Sequence, residues 1–135
     1  MATLEDVRRL ALALPETSEG TRWGSSSWSV GKQSFVWERP LNKADVKRWG
    51  TETPLPEGPI LAAYVEDLDE KDALVTEEPD LFFTIEHFNG FRAVLIRLDR
   101  IEVGRLEDVI TDAWLVRAPK RLAADFLEGR NRPDR

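Results

Sequence analysis

The stretch Leu81-Phe82-Phe83-Thr84-Ile85-Glu86-His87-Phe88-Asn89-Gly90-Phe91-Arg92-Ala93-Val94-Leu95-Ile96-Arg97-Leu98 decides the fold class. Two runs rich in aromatic and aliphatic residues, Leu81 to His87 and Phe91 to Leu98, flank Asn89-Gly90. Asn and Gly both tolerate positive φ, as a two-residue type I′ turn requires, so the stretch predicts a β-hairpin. Phe82, Thr84 and Glu86 then alternate with Phe83, Ile85 and His87 across the two strand faces.

A second hairpin is signalled upstream. Trp28-Ser29-Val30 and Gln33 to Trp37 flank Gly31-Lys32, a Gly-X pair suited to a type II′ turn. Ile60 to Val65 reads as a fifth strand, and Glu16 to Ser27, rich in Ser, Thr, Gly and Glu, as a loop. Helices fill the remainder. Thr3 and Asp6 form a capping-box pattern ahead of Leu4, Val7, Leu10, Ala11 and Leu14, and Pro15 stops that helix. Asn42 caps a short helix carrying Ala44, Val46 and Trp49, closed by Gly50. Asp67 or Asp69 caps an acidic helix that ends before Pro79. Leu106, Val109, Ile110, Ala113 and Trp114 form an amphipathic stripe. Pro119 breaks that helix before a last one with Leu122, Ala123, Phe126 and Leu127 inward, and a polar tail starts at about 129. About five strands without strict alternation with helices predict one compact α+β domain over 1–135. Its mainly antiparallel sheet has two tight hairpins and flanking helices.

The bulk numbers narrow the class. A chain of 135 residues, 41% hydrophobic and 33% charged, suits a single globular domain. No run approaches the roughly 18 apolar residues of a membrane helix, and the start Met1-Ala2-Thr3-Leu4-Glu5-Asp6 lacks signal-peptide character. Without cysteine there is no disulfide or thiolate site, so a cytoplasmic protein is expected. The net charge of −6 and pI of about 4.9 argue against non-specific nucleic-acid binding, but the charge is segregated. Ten acids lie between Glu52 and Asp80 against Lys71 alone, whereas Gly20 to Gly50 and Arg117 to Arg135 are basic.

No catalytic, metal or cofactor constellation emerges. His87 is the lone histidine and without Cys or a second His assembles no usual zinc site. Ser25-Ser26-Ser27 lacks a nucleophile-elbow context, and the acids from Glu66 to Glu78 lack the central Gly of a calcium loop. Four of the five tryptophans (Trp23, Trp28, Trp37, Trp49) are interleaved with Arg22, Lys32, Arg39, Lys47 and Arg48. Such interleaving suits phosphate contact plus base stacking. Trp28, Trp37 and Trp49 read as core residues; Trp23, in a loop between Arg22 and Gly24, is the aromatic best placed for exposure, with packing against a buried edge an equal alternative.

Leu14-Pro15, Trp23-Gly24, Val30-Gly31-Lys32 and Phe35 resemble the start of the MmcQ/YjbR family. Phe82 to Leu98, Asp112-Ala113-Trp114 and Ala118-Pro119-Lys120-Arg121-Leu122 fit the same pattern. The resemblance implies a compact α+β fold similar to secretion-chaperone-like domains. Members are commonly labelled DNA-binding because two hairpins look like paired wings, here tipped by Gly31-Lys32 and Asn89-Gly90. It brings no catalytic residues, so a non-enzyme is expected. The first functional expectation is a nucleic-acid-binding module using Arg22, Trp23, Lys32, Arg39, Lys43, Lys47, Arg48, Arg92, Lys120 and Arg121, with DNA as partner. The alternative is a protein-binding or chaperone-like module pairing through a helix face or sheet edge. An enzyme or small-ligand receptor ranks third, since it needs a pocket that one sequence does not show.

Overall fold

The computed structural model describes residues 1–131. Its elements run α1 (Leu4–Leu12), β1 (Thr17–Arg22), β2 (Ser25–Val30), β3 (Gln33–Glu38), α2 (Lys43–Trp49), β4 (Ile60–Tyr64) and α3 (Leu68–Glu77). They continue with β5 (Phe82–Phe83), a 3₁₀ turn (Glu86–Phe88), β6 (Ala93–Arg97), α4 (Val103–Arg117) and α5 (Lys120–Asn131). The class is α+β, and the six strands form one antiparallel sheet in the order β1-β2-β3-β4-β6-β5.

The central strands β4 and β6 carry apolar residues on both faces. Leu61, Ala63, Val94 and Ile96 face a core with Val7, Leu10, Ala11, Leu106, Ile110 and Trp114 from α1 and α4. Ile60, Ala62, Tyr64, Ala93 and Leu95 face a second core with Trp37, Phe83, Ile85 and Phe88. Apolar area on both sides of a strand must be covered from both sides, at roughly 25 cal/mol per Å² removed from water. Two long helices cover one face. The other has only short α2, the 3₁₀ turn and their neighbouring loops.

Most local signals act as the sequence implies. The Thr3–Asp6 capping box and the Asn42 cap form, and Asp67 caps α3. The α4 stripe is buried, with the Trp114 indole donating to Pro15 O at 3.1 Å. The β2–β3 turn has Gly31 at φ 58 with no positive φ at Lys32, as a type II′ turn requires. The last helix runs through Asn131, so the tail expected from about 129 begins later, and its final residues lie outside the described ones.

Three expectations are corrected. Thr17–Arg22 is a strand rather than loop. It is polar because it is an exposed edge whose order comes from backbone pairing with β2. Asn89-Gly90 does not close a two-residue hairpin: β5 ends at Phe83, and a longer connection leads to β6. Asn89 at φ −59, ψ 128 and Gly90 at φ 76 instead form a type II turn, closed by Phe91 N donating to Phe88 O at 3.0 Å. The second tight hairpin is β1–β2, with Trp23-Gly24 as its loop. In α2, Ala44 and Val46 face outward and the buried residue is Asp45.

Arg105 of α4 clamps Glu78, just beyond α3, through Nη2 to Oε2 at 2.6 Å and Nε to Oε1 at 3.3 Å. These hydrogen bonds hold the Glu78 carboxyl below its ordinary 4.5, outweighing its partial burial. A depressed folded-state pKa contributes stability above pH 4.5 that is lost as pH falls through the folded value. Glu78→Gln is therefore expected to lower the melting temperature at pH 7 and to flatten its fall below pH 4.5, checked by thermal melts across pH.

Candidate functional site

On the thinly covered face lies an open cleft of about 650 Å³. Its walls are the β1–β2 tip (Arg22, Trp23, Ser25), the end of β3 (Trp37, Glu38, Arg39) and the segment entering α2 (Pro40, Leu41, Asn42). His87, Phe88 and Phe91 complete it. Trp37, Phe88 and Phe91 make an aromatic floor, with Trp37 6.3 Å from each of the other two ring centroids. Phe88 and Phe91 meet edge to face at 5.3 Å.

Trp23 is the strained element. A type I′ turn needs positive φ at both central residues, and Trp23 has φ 50 and Gly24 φ 81. The left-handed region costs a bulky side chain roughly 1–2 kcal/mol. The ring nevertheless stands 82% exposed. It therefore gains little from burial, and such strain clusters where function requires it. Beside it, the Arg22 guanidinium lies 4.6 Å from the Trp23 ring and 4.2 Å from the Trp37 ring. No carboxylate pairs with Arg22 among the described residues. Among the described residues the buried Trp37 Nε1 has no hydrogen-bond partner.

Arg39 differs. Its Nη1 lies 2.9 Å from Oδ2 of buried Asp45, and its guanidinium sits 5.6 Å from the Phe88 ring. The same Asp45 oxygen accepts from Asn42 N, so the α2 cap and the cleft wall share one carboxylate. The charge of Arg39 is thus engaged, whereas Arg22 has no carboxylate partner among the described residues.

Lys71 was not legible as part of this site. It is 5% exposed, and its Nζ donates to Phe88 O at 2.6 Å and Phe91 O at 2.8 Å, tying both ends of the Asn89-Gly90 turn and so fixing two floor rings. Burial pushes its pKa below the ordinary 10.5, with Asp72 opposing. A lone base in an acidic helix, sharing a face with Leu74 and Val75 at i, i+3 and i+4, was the available signal.

The other sequence-derived bases separate. Lys43, Lys47 and Arg48 lie exposed on α2, whose cap Asn42 borders the cleft. Lys32 sits at the opposite end of β2 from Trp23, roughly 17 Å away along six residues. Lys120 and Arg121 begin α5, close in sequence to Arg117, which bonds Ser34 O and Gln33 at that same far end. Arg92 donates to Glu66 O at the edge of the acidic segment. His87 is an exposed rim residue on the 3₁₀ turn rather than on a strand. Among the described residues no helix is long and apolar enough to cross a membrane.

The YjbR family model matches residues 12–116, most of the fold just described. The chain belongs to the YjbR family. Its similarity to proteins of Mycobacterium bovis and Mycobacterium tuberculosis strain H37Rv, both named only as uncharacterised, is 45% identity over 130 residues. That spans 94% of this chain and 97% of each of theirs. Among solved structures, a crystal structure of a Deinococcus radiodurans protein with the family-model domain DUF419 superimposes with a TM-score of 0.63. It shares 17% identity, covers 86% of this chain and 78% of its own, and so shows the YjbR fold alone.

Two stability predictions follow from this geometry. Trp23→Asn, which suits the type I′ position, is expected to stabilise the fold by about 1 kcal/mol in urea unfolding. Lys71→Met is expected to cost about 1–3 kcal/mol near pH 7 by the same measurement. Because the folded-state pKa of Lys71 lies below 10.5, the unfolded chain binds more protons over the alkaline window beneath that value. The advantage of the native protein over Lys71→Met should therefore grow as pH rises toward 10.5.

Proposed function

We propose that this YjbR protein is a nucleic-acid-binding module that takes unpaired bases of a single strand into the aromatic cleft. The observation that carries the reading is the Trp23–Arg22–Trp37 contact: a cation without a carboxylate partner lies against one exposed and one buried indole. Bases stack on indoles whatever their sequence, and a guanidinium beside the stack meets the phosphate. A cleft of about 650 Å³ has room for a nucleotide-sized ligand. The exposed Lys43, Lys47 and Arg48 extend positive charge from the cleft along α2.

A single strand is favoured over duplex. Duplex grip needs bases spread over one face, whereas Lys32, Lys120 and Arg121 belong to the end of the sheet away from Trp23. The net charge of −6 also opposes broad contact with duplex phosphates.

The test is fluorescence anisotropy with a labelled mixed-sequence decamer at low salt, single-stranded and as a duplex, in DNA and RNA forms. The single strand is expected to bind with a dissociation constant of about 1–100 µM that weakens with salt. Duplex should bind more weakly, and Arg22→Ala and Trp23→Ala should each reduce affinity by about fivefold or more. No binding at about 100 µM protein, or affinity untouched by both substitutions, would overturn the reading.

A further inference from the structure

We propose that β1 is a dimer edge: two copies of the chain pair their β1 strands antiparallel about a two-fold axis through Gly20, joining the two sheets into one continuous sheet. This interface is independent of what the cleft takes up.

β1 stands first in the sheet order, so among the described residues only β2 lies beside it as a strand. Ser18 to Thr21 are exposed. Arg22 and Ser25 flank the two-residue Trp23-Gly24 loop and form a hydrogen-bonded pair, and alternation makes Gly20 with Ser27 and Ser18 with Ser29 the next such pairs. The main-chain N–H and C=O groups of Glu19 and Thr21 therefore point away from β2, along the open edge. The usual guards of an edge strand are missing there: β1 carries no Pro, no Lys and no register shift against β2. Its central charge, Glu19, is turned back onto its own molecule, accepting from Arg8 Nε at 2.9 Å and Trp28 Nε1 at 3.1 Å. The opposite edge, β5, is two residues long and offers no comparable ladder.

Gly20 sets the register. Glycine weakens a strand, and in a strand interior it often marks where another backbone comes close. No contact or backbone angle among the described residues calls for it, since its φ lies outside the left-handed region and a Cβ there would meet no atom within 4 Å. With the axis on Gly20, the two glycines meet as a non-hydrogen-bonded pair, the closest approach in an antiparallel ladder, with Cα atoms about 4.5 Å apart. Glu19 of each copy then exchanges both main-chain hydrogen bonds with Thr21 of the other, and Ser18 faces Arg22. Centring on Glu19 would set two carboxylates directly opposite each other, which is destabilising. Centring on Thr21 would run the ladder into the Trp23-Gly24 turn. A two-fold axis perpendicular to the sheet preserves its faces, so both clefts open on one side, with the two Trp23 tips roughly 20 Å apart along six residues.

Sedimentation equilibrium of the full chain tests this. Monomer and dimer are expected to exchange with a Kd of about 10–300 µM, because each copy contributes one short strand. Gly20→Lys enters open space in the monomer but sets two ammonium groups opposite each other across the axis. It is expected to keep the native circular dichroism and to weaken the dimer by about tenfold or more. The chain has no cysteine, so Gly20→Cys reads the register: mild oxidation should link two copies through residue 20. Ser18→Cys is the control, because its two copies lie roughly 14 Å apart in this register, beyond the span of about 7 Å that a disulfide bridges. Monomer alone at about 1 mM, a dimer untouched by Gly20→Lys, or equal cross-linking of the two cysteine variants would overturn the proposal.

Discussion

Strands β4 and β6 are apolar on both faces, and that single constraint shapes the rest of the molecule. Ile60 to Tyr64 and Ala93 to Ile96 are buried throughout, so neither sheet face can be left to solvent. The chain meets this unequally. α1 and α4 lie over one face and bring Trp114 against Phe126 of α5. Seven-residue α2 and a 3₁₀ turn serve the other, and aromatic rings rather than a long helix finish the job there. A layer made of separate rings leaves gaps where a continuous helix would not, and the cleft is one of them.

Electrostatics then differentiates the two arginines at that gap. Arg39 is tied to Asp45, a buried carboxylate that also caps α2, so removing either partner would strand a charge in the interior. Arg22 lies against the Trp23 and Trp37 rings, with no carboxylate partner among the described residues, beside a backbone turn that strains Trp23. One arginine is part of the wall, and the other lies against the rings at the mouth. Lys71 does for the floor what Asp45 does for the wall: a buried charge, satisfied by main-chain oxygens, fixes the turn that presents Phe88 and Phe91.

Local chemistry wrote much of the architecture into the sequence. The Thr3, Asn42 and Asp67 caps, the α4 stripe and the Gly31-Lys32 turn each depend on residues within a few positions of one another. They need little from the rest of the chain, which made the α+β class and most elements legible, whereas the exposure of Trp23 was decided by its place at the β1–β2 turn. β1 was hidden because an edge strand of Thr, Ser, Glu and Gly buries almost nothing and is ordered by backbone pairing with β2 and by tertiary contacts such as Glu19 with Arg8 of α1. Asn89-Gly90 signalled a turn correctly but not its type. Both I′ and II accept Gly at the second central position, and the choice here goes with tertiary contacts from Lys71.

By itself the sequence determined the elements, their caps and the segregation of charge, since these follow from propensity and spacing. Only the tertiary structure decided which bases are neighbours. It grouped Arg22, Trp23 and Arg39 around one cleft and sent Lys32 to the opposite end of β2. It also buried Asp45 beneath Arg39 and turned Lys71, the lone base of an acidic run, into the support of the floor. The physical reason is that hydrogen bonds and ion pairs act over a few ångströms of space. Residues seventeen or twenty positions apart in sequence, such as Lys71 with Phe88 and Phe91, meet only after the sheet has folded.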